Sequence, residues 1–217
     1  MEALHPLAAL ALLTALGAQA QTCPVPEGVD VNRVLAVVRS TAFVEAANKM
    51  MRPGVLPSRA LTGDLAVVFA ENTPKQLKYF RVPEAEAPCW QQRAVLVQHA
   101  RNLISEVGAM RLREDKSGVT MVLAGGNFEA SLILSYRTLR RGLDKPLDAI
   151  LVGVPNRDML LMADPNNPEA VRALQAVVER SFAEGTHPLS NKLYLLGDCM
   201  LQVVDPAQQQ QATSTCS

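Results

Sequence analysis

The chain has 217 residues, 48% of them hydrophobic and 4% aromatic, with 21 Lys and Arg set against 21 Asp and Glu. This length suits one domain or two small ones and can bury a real core. Cancelling charges offer no basic field for nucleic acid and no acidic bias toward disorder, and 12 Gly with 14 Pro exclude fibrous and collagen-like classes.

The first segment reads as an address. Leu7 to Leu16 is an apolar stretch, LAALALLTAL, and Ala18-Gln19-Ala20 follows with small residues at the A-x-A positions. The stretch is too short to cross ~30 Å of hydrocarbon as a helix. It predicts a secretory signal peptide over 1–20, cleaved after Ala20, and a periplasmic or secreted protein. No later stretch is long and apolar enough to predict a membrane span. Residues 21–206 then read as one domain, and 207–217 as a polar, flexible tail.

Along the domain, Asp30 is placed to cap a helix. Its apolar positions Val31, Leu35, Val38, Ala42 and Ala46 recur every three to four residues until Pro53-Gly54. Leu65 to Ala70 is a short apolar run that predicts a buried strand. Asn72 to Pro88, broken by Pro74, Pro83 and Pro88, reads as loop. A second helix is predicted from about Trp90 to Val107, stopped by Gly108.

The period then changes to two. Met110-Arg111-Leu112-Arg113 alternates apolar and basic residues, and Val119 to Ala124 returns after the Lys116-Ser117-Gly118 turn, so this is a strand pair. Asn127, after Gly125-Gly126, can cap a helix from Phe128 to about Arg141. Ala149–Val154 and Met159–Ala163 are continuous apolar runs, which predicts strands buried on both faces at the centre of a sheet. Pro168, behind Asn167, opens a helix through Ala183. Leu193–Leu196 and Cys199–Val204 flank a predicted Gly197-Asp198 turn. Strands joined by tight turns pair antiparallel, so the fold class predicted is α+β, with a predominantly antiparallel sheet built from hairpins and amphipathic helices packed on it.

All four cysteines, Cys23, Cys89, Cys199 and Cys216, fall after the leader. An even count in an exported chain allows up to two disulfides in three connectivities. Cys89 and Cys199 are the pair expected to sit on structured backbone. No C-x-x-C spacing supports a zinc or thioredoxin-like site.

The stretch Leu151 to Leu161, with Val154-Pro155-Asn156-Arg157-Asp158 at its centre, is the most distinctive in the chain. Together with Asp64–Phe69, Glu129–Leu134 and His187-Pro188-Leu189-Ser190, it resembles the YtpQ-like family of bacterial proteins of unknown function. The resemblance covers roughly 30–205. It implies an α+β domain and supplies no activity, cofactor or catalytic residue.

The candidate chemistry is sparse. In the hairpin turn Asn156-Arg157-Asp158, Arg157 can present a bidentate fork to a carboxylate or phosphate, with Asp158 orienting it. The same residues also suit an ordinary turn with a solvated arginine. His187, in the Gly185–Ser190 loop, is the candidate acid or base, since an imidazole can change charge near neutral pH. His99 falls on a helix face between Leu96 and Leu103 and reads as a partly buried residue. The Gly125-Gly126-Asn127 amides can face an anion. No Walker loop, G-x-S-x-G, H-E-x-x-H or G-x-G-x-x-G occurs, and nothing calls for a cofactor or a metal. The sequence thus predicts an exported, non-catalytic binding module for a peptide, protein or small anion. Its competitors are a small hydrolase or transferase using His187 with Asp158 or Ser190, and a chaperone-like or assembly subunit.

Overall fold

The structure, a computed structural model, describes residues 23–50, 53–143, 149–197 and 201–204. The proposed leader, the tail, Cys199 and Cys216 lie outside these residues, as does part of the Gly197-Asp198 turn.

The first departure from the sequence reading comes at Asp30. It does cap, accepting from the Asn32 amide at 3.0 Å, but the helix it caps is a single 3-10 turn, Val31–Arg33. The chain then extends into strand β1, Val34–Ser40, before helix α1, Thr41–Met50. The expected helix from Val31 to the Pro53-Gly54 stop is therefore corrected to strand followed by helix. The reason lies in Val34-Leu35-Ala36-Val37-Val38, a continuous apolar, β-branched run whose five side chains are all buried and which suits a strand covered on both faces.

Strands β2 (Ser58–Thr62), β3 (Leu65–Asn72) and β4 (Leu77–Tyr79) complete a four-stranded antiparallel sheet. β1 occupies one side of β3 from Leu65 to Glu71. On the other side, β2 pairs with the first half of β3 and β4 with the last three residues. The segment expected to be loop over 72–88 thus contains β4, a 3-10 turn at Glu84–Glu86 and the start of helix α2, Ala87–Trp90. Helix α3, Arg93–Val107, follows after a break at Gln91-Gln92.

Alternate residues of the sheet enter separate cores. Val34, Ala36, Val67 and Phe69 meet Phe80, Val82, Trp90, Val95 and Ala100 on one face. Leu35, Val37 and Val68 meet Ala47, Leu56 and Leu103 on the other. Because α3 supplies both Ala100 and Leu103, it straddles the outer edge of β1. That edge would otherwise leave bare polar backbone. Instead, His99 Nδ1 and Asn102 Nδ2 both lie 3.0 Å from the Val34 carbonyl oxygen, and the Val38 amide donates to Ser131 Oγ at 2.9 Å.

The second sheet has six antiparallel strands. They are β5 (Arg111–Glu114), β6 (Thr120–Leu123), β7 (Ile150–Gly153), β8 (Leu160–Ala163), β9 (Leu193–Leu196) and β10 (Leu201–Val204), in the order β10-β9-β7-β8-β6-β5. The two continuous apolar runs take the central positions, as their composition predicts. Helix α5, Pro168–Glu184, is capped by Asn167, which accepts from the Glu169 and Ala170 amides. Its Ala170, Val171, Leu174 and Val178 cover Leu151, Leu161 and Leu193. A side chain at Gly153 would collide with Val178, so glycine sets how closely α5 approaches β7. The opposite face, with Ile150, Val152, Leu160, Met162 and Tyr194, shares a core with Val38 and Leu65 of the first sheet. The fold is α+β and antiparallel throughout, with two sheets where the sequence suggested one.

Between the sheets lies the segment expected to be one helix over 128–141. It is a 3-10 stretch, Glu129–Ser135, continued by helix α4, Tyr136–Gly142. Glu129 to Ile133 are all buried, so no single stripe faces a core. The tighter helix lets this wedge serve both sheets at once.

Candidate functional site

The turn between β7 and β8 is fastened by backbone bonds from two sides. Arg157 N donates to the His187 carbonyl at 3.3 Å, Leu189 N donates to the Pro155 carbonyl at 2.8 Å, and Asn156 pairs with Pro188 in an isolated bridge. Ala130 N donates to the Arg157 carbonyl from the wedge at 3.3 Å. Asn156 is buried and donates from Nδ2 to the Ser181 carbonyl at 2.7 Å. Its Oδ1 packs where a side chain on residue 185 would stand, so Gly185 is required there. Asn156 therefore builds the turn and is not presented to a ligand.

The turn points Arg157 into a groove of about 580 Å³ where the two sheets meet. Its walls carry Arg33 and Arg39 from the start and end of the first strand region, Lys75 from the β3–β4 turn, and Arg157. Glu106 is the single carboxylate among the lining side chains, so the groove is strongly cationic in a chain of balanced charge. Tyr79, Asn127 and Phe128 complete it. A volume of this size suits a small-molecule site.

Two of these arginines are sunk into the protein surface. Arg39 is only 8% exposed. It donates from Nε to Tyr79 OH at 2.7 Å and from Nη1 to the Val38 carbonyl at 2.6 Å, which fixes its plane. Arg157 is half-buried, and its Nε is a buried donor with no partner among the described residues. An unmatched buried N–H on a cation is costly unless something accepts from it. The fork geometry of both groups suits a carboxylate or phosphate.

The other sequence candidates fare differently. Asp158 is exposed, and no hydrogen bond or ion pair joins it to Arg157 among the described residues. His187 is near the turn through its backbone, but its side chain is exposed. Ser190 is fully buried, and its hydroxyl lies on the Asp64 carboxylate at 3.0 Å. Tyr194 OH shares that carboxylate and lies 2.6 Å from Ser190 Oγ, while Lys192 Nζ stands 3.5 Å from Asp64. Burial and the adjacent Asp64 carboxylate raise the Tyr194 phenol far above its ordinary range. This network ties the β2–β3 turn to β9 and gives Ser190 a structural partner in place of a histidine.

The Gly125-Gly126 loop supplies its own anion. The buried Glu129 carboxylate accepts from the Ala124, Gly126 and Phe128 amides at 2.9, 2.6 and 3.1 Å. Those amides are occupied, and the loop positions Asn127 and Phe128 at the groove. Phe128, not Asn127, precedes the helical segment. His99 is buried against Trp90 and Phe69, in keeping with its reading as a packed helix residue.

Cys89 is disulfide-bonded, but its partner is Cys23, 66 positions away, and not Cys199. Among the described residues no group of three or more His, Cys, Asp or Glu side chains is placed to hold a metal. No described helix is long and apolar enough to cross a membrane.

Sequence reasoning found Arg157 and missed Arg33, Arg39, Lys75 and Tyr79. Arg39 did carry a signal, as a cation closing an otherwise apolar run. Its convergence with Tyr79 and Arg157 depends on pairing across the sheet and is not a matter of spacing.

No family model matches the chain, and no solved structure matches it. It is similar to a uridylate kinase from Frankia alni (strain DSM 45986 / CECT 9034 / ACN14a), with 27% identity over 177 residues. The similarity covers 80% of this chain, which spans 62% of that relative's length.

Proposed function

We propose that the protein is a non-catalytic binding module that takes a small anion in the groove between its two sheets. One observation carries this reading. Arg39 and Arg157, from different sheets, line the same groove, and Arg157 Nε is a buried donor without an acceptor among the described residues. The relative's name adds support for a phosphorylated ligand, because uridylate is one. Export to the periplasm or beyond belongs to the same proposal. It is supported by the apolar leader-like stretch Leu7–Leu16 and by the Cys23–Cys89 disulfide, a bond favoured in oxidising compartments. Kinship with the YtpQ-like family is also proposed, on the strength of the segments around Asp64, Glu129, Arg157 and His187.

Calorimetric titration of the full chain with pyrophosphate at low salt tests the reading. Saturable binding is expected, weakened about tenfold or more in Arg157→Gln, since a charge-assisted hydrogen bond contributes ~1.5–3 kcal/mol. Added salt should weaken it further. Absence of binding, or equal binding by Arg157→Gln, would reject the groove as an anion site.

A further inference from the structure

The cationic groove is not closed at its Arg33 end. A second cavity of about 180 Å³ adjoins it and shares Arg33, Asn72 and Glu106 as common wall. Its remaining polar lining is Asn32, Asn102 and Ser105, and it contains no lysine. One continuous depression therefore changes character along its length. Arg39, Arg157 and Lys75 stand at one end, Arg33 and Glu106 stand at the junction, and the amides of Asn32 and Asn102 with the Ser105 hydroxyl stand at the other.

Several details fix the second end. Asn102 is held in place, donating from Nδ2 to the Val34 carbonyl and accepting from Gln98 Nε2 at 3.3 Å. Arg33 is held by its Nε, which donates to the Asn72 carbonyl at 2.8 Å. Glu106 and Ser105 are exposed on the last turn of α3, and no hydrogen bond or ion pair engages either side chain among the described residues. A carboxylate beside a cationic groove repels a second anionic group and accepts well from neutral hydroxyls. The cavity has room for about six waters, which is the scale of one sugar ring.

We infer that the site takes a phosphorylated pentose, its phosphate at Arg39 and Arg157 and its sugar hydroxyls at Glu106, Ser105 and Asn32. This rests on the anion reading above and adds to it the chemistry of the uncharged half of the ligand. The relative named as a uridylate kinase is named for a phosphorylated ribonucleoside, which has the same two-part chemistry.

The test compares inorganic phosphate, ribose and ribose 5-phosphate on the full chain by calorimetry. Ribose 5-phosphate should bind at least about tenfold tighter than phosphate, the margin expected from one or two added hydrogen bonds to a charged group. Glu106→Ala should bring the two affinities together while the melting temperature stays unchanged. Equal affinity of the wild-type chain for phosphate and ribose 5-phosphate would overturn the pentose assignment and leave the anion site standing. A margin that survives Glu106→Ala would overturn the placement of the sugar. Failure of both phosphate and ribose 5-phosphate to bind would remove the anion reading itself.

Discussion

Arg39 donates from Nε to the hydroxyl of Tyr79 at 2.7 Å, and its guanidinium carbon lies 5.8 Å from the centroid of the same ring. The two residues are 40 positions apart and meet because β1 and β4 both pair with β3. Tyr79 is in turn packed on Phe43 of α1, with ring centroids 5.2 Å apart. The phenol thus orients a buried cation toward the groove while its ring is fixed from behind.

Removing only the hydroxyl separates these two roles. Tyr79→Phe should weaken pyrophosphate binding severalfold, as expected from losing one hydrogen bond of roughly 1 kcal/mol. The ring contacts remain, so the melting temperature should stay within a few degrees. Equal pyrophosphate affinity in calorimetry would show that Arg39 does not need Tyr79 for its alignment.

The Cys23–Cys89 bond closes a loop of 66 positions around the Trp90 core. In the chain-entropy model, a loop of that length contributes about 4 kcal/mol by restricting the unfolded chain. Urea unfolding with and without reductant should therefore show a markedly lower midpoint for the reduced protein, and Cys23→Ser should match it. A midpoint indifferent to reductant would contradict the bond or its structural role.

His99 predicts an acid-side effect. Burial lowers its pKa, only partly opposed by the bond to the Val34 carbonyl, and that bond places the ring proton on Nδ1. The unfolded chain takes up a proton near the ordinary value of about 6.5, whereas the folded chain resists it to lower pH. Stability should therefore fall as the pH drops below about 6.5 and through the lowered pKa of the folded state. His99→Gln should flatten that part of the curve in denaturant titrations. An unchanged slope would remove His99 as its source.

Much of this architecture was legible because burial on both faces leaves a plain mark. Leu65–Ala70, Ala149–Val154 and Met159–Ala163 are unbroken apolar runs, and each marks a central strand. Asn167-Pro168 marked the start of α5 by its capping chemistry. The failures share one cause. Val31 to Ala46 satisfies a helical period, yet its first half is a β-branched run that another strand and two cores claim. Phe128 to Arg141 reads as a helix too, but burial between two sheets tightens its first half to 3-10 geometry. Local pattern cannot report which surfaces will enclose a segment. The same holds for the candidate site. Arg157 was visible on a distinctive turn, while Arg39 and Tyr79 acquire meaning only through strand register.

The most direct test follows the guanidinium Nε–H resonances of Arg157 and Arg39 by NMR as pyrophosphate is added. An anion seated in the groove predicts a saturable shift of both, with Arg157 the larger because its Nε lacks an acceptor among the described residues. Both resonances remaining still at concentrations that perturb exposed lysines would contradict the assignment of the groove as a binding site.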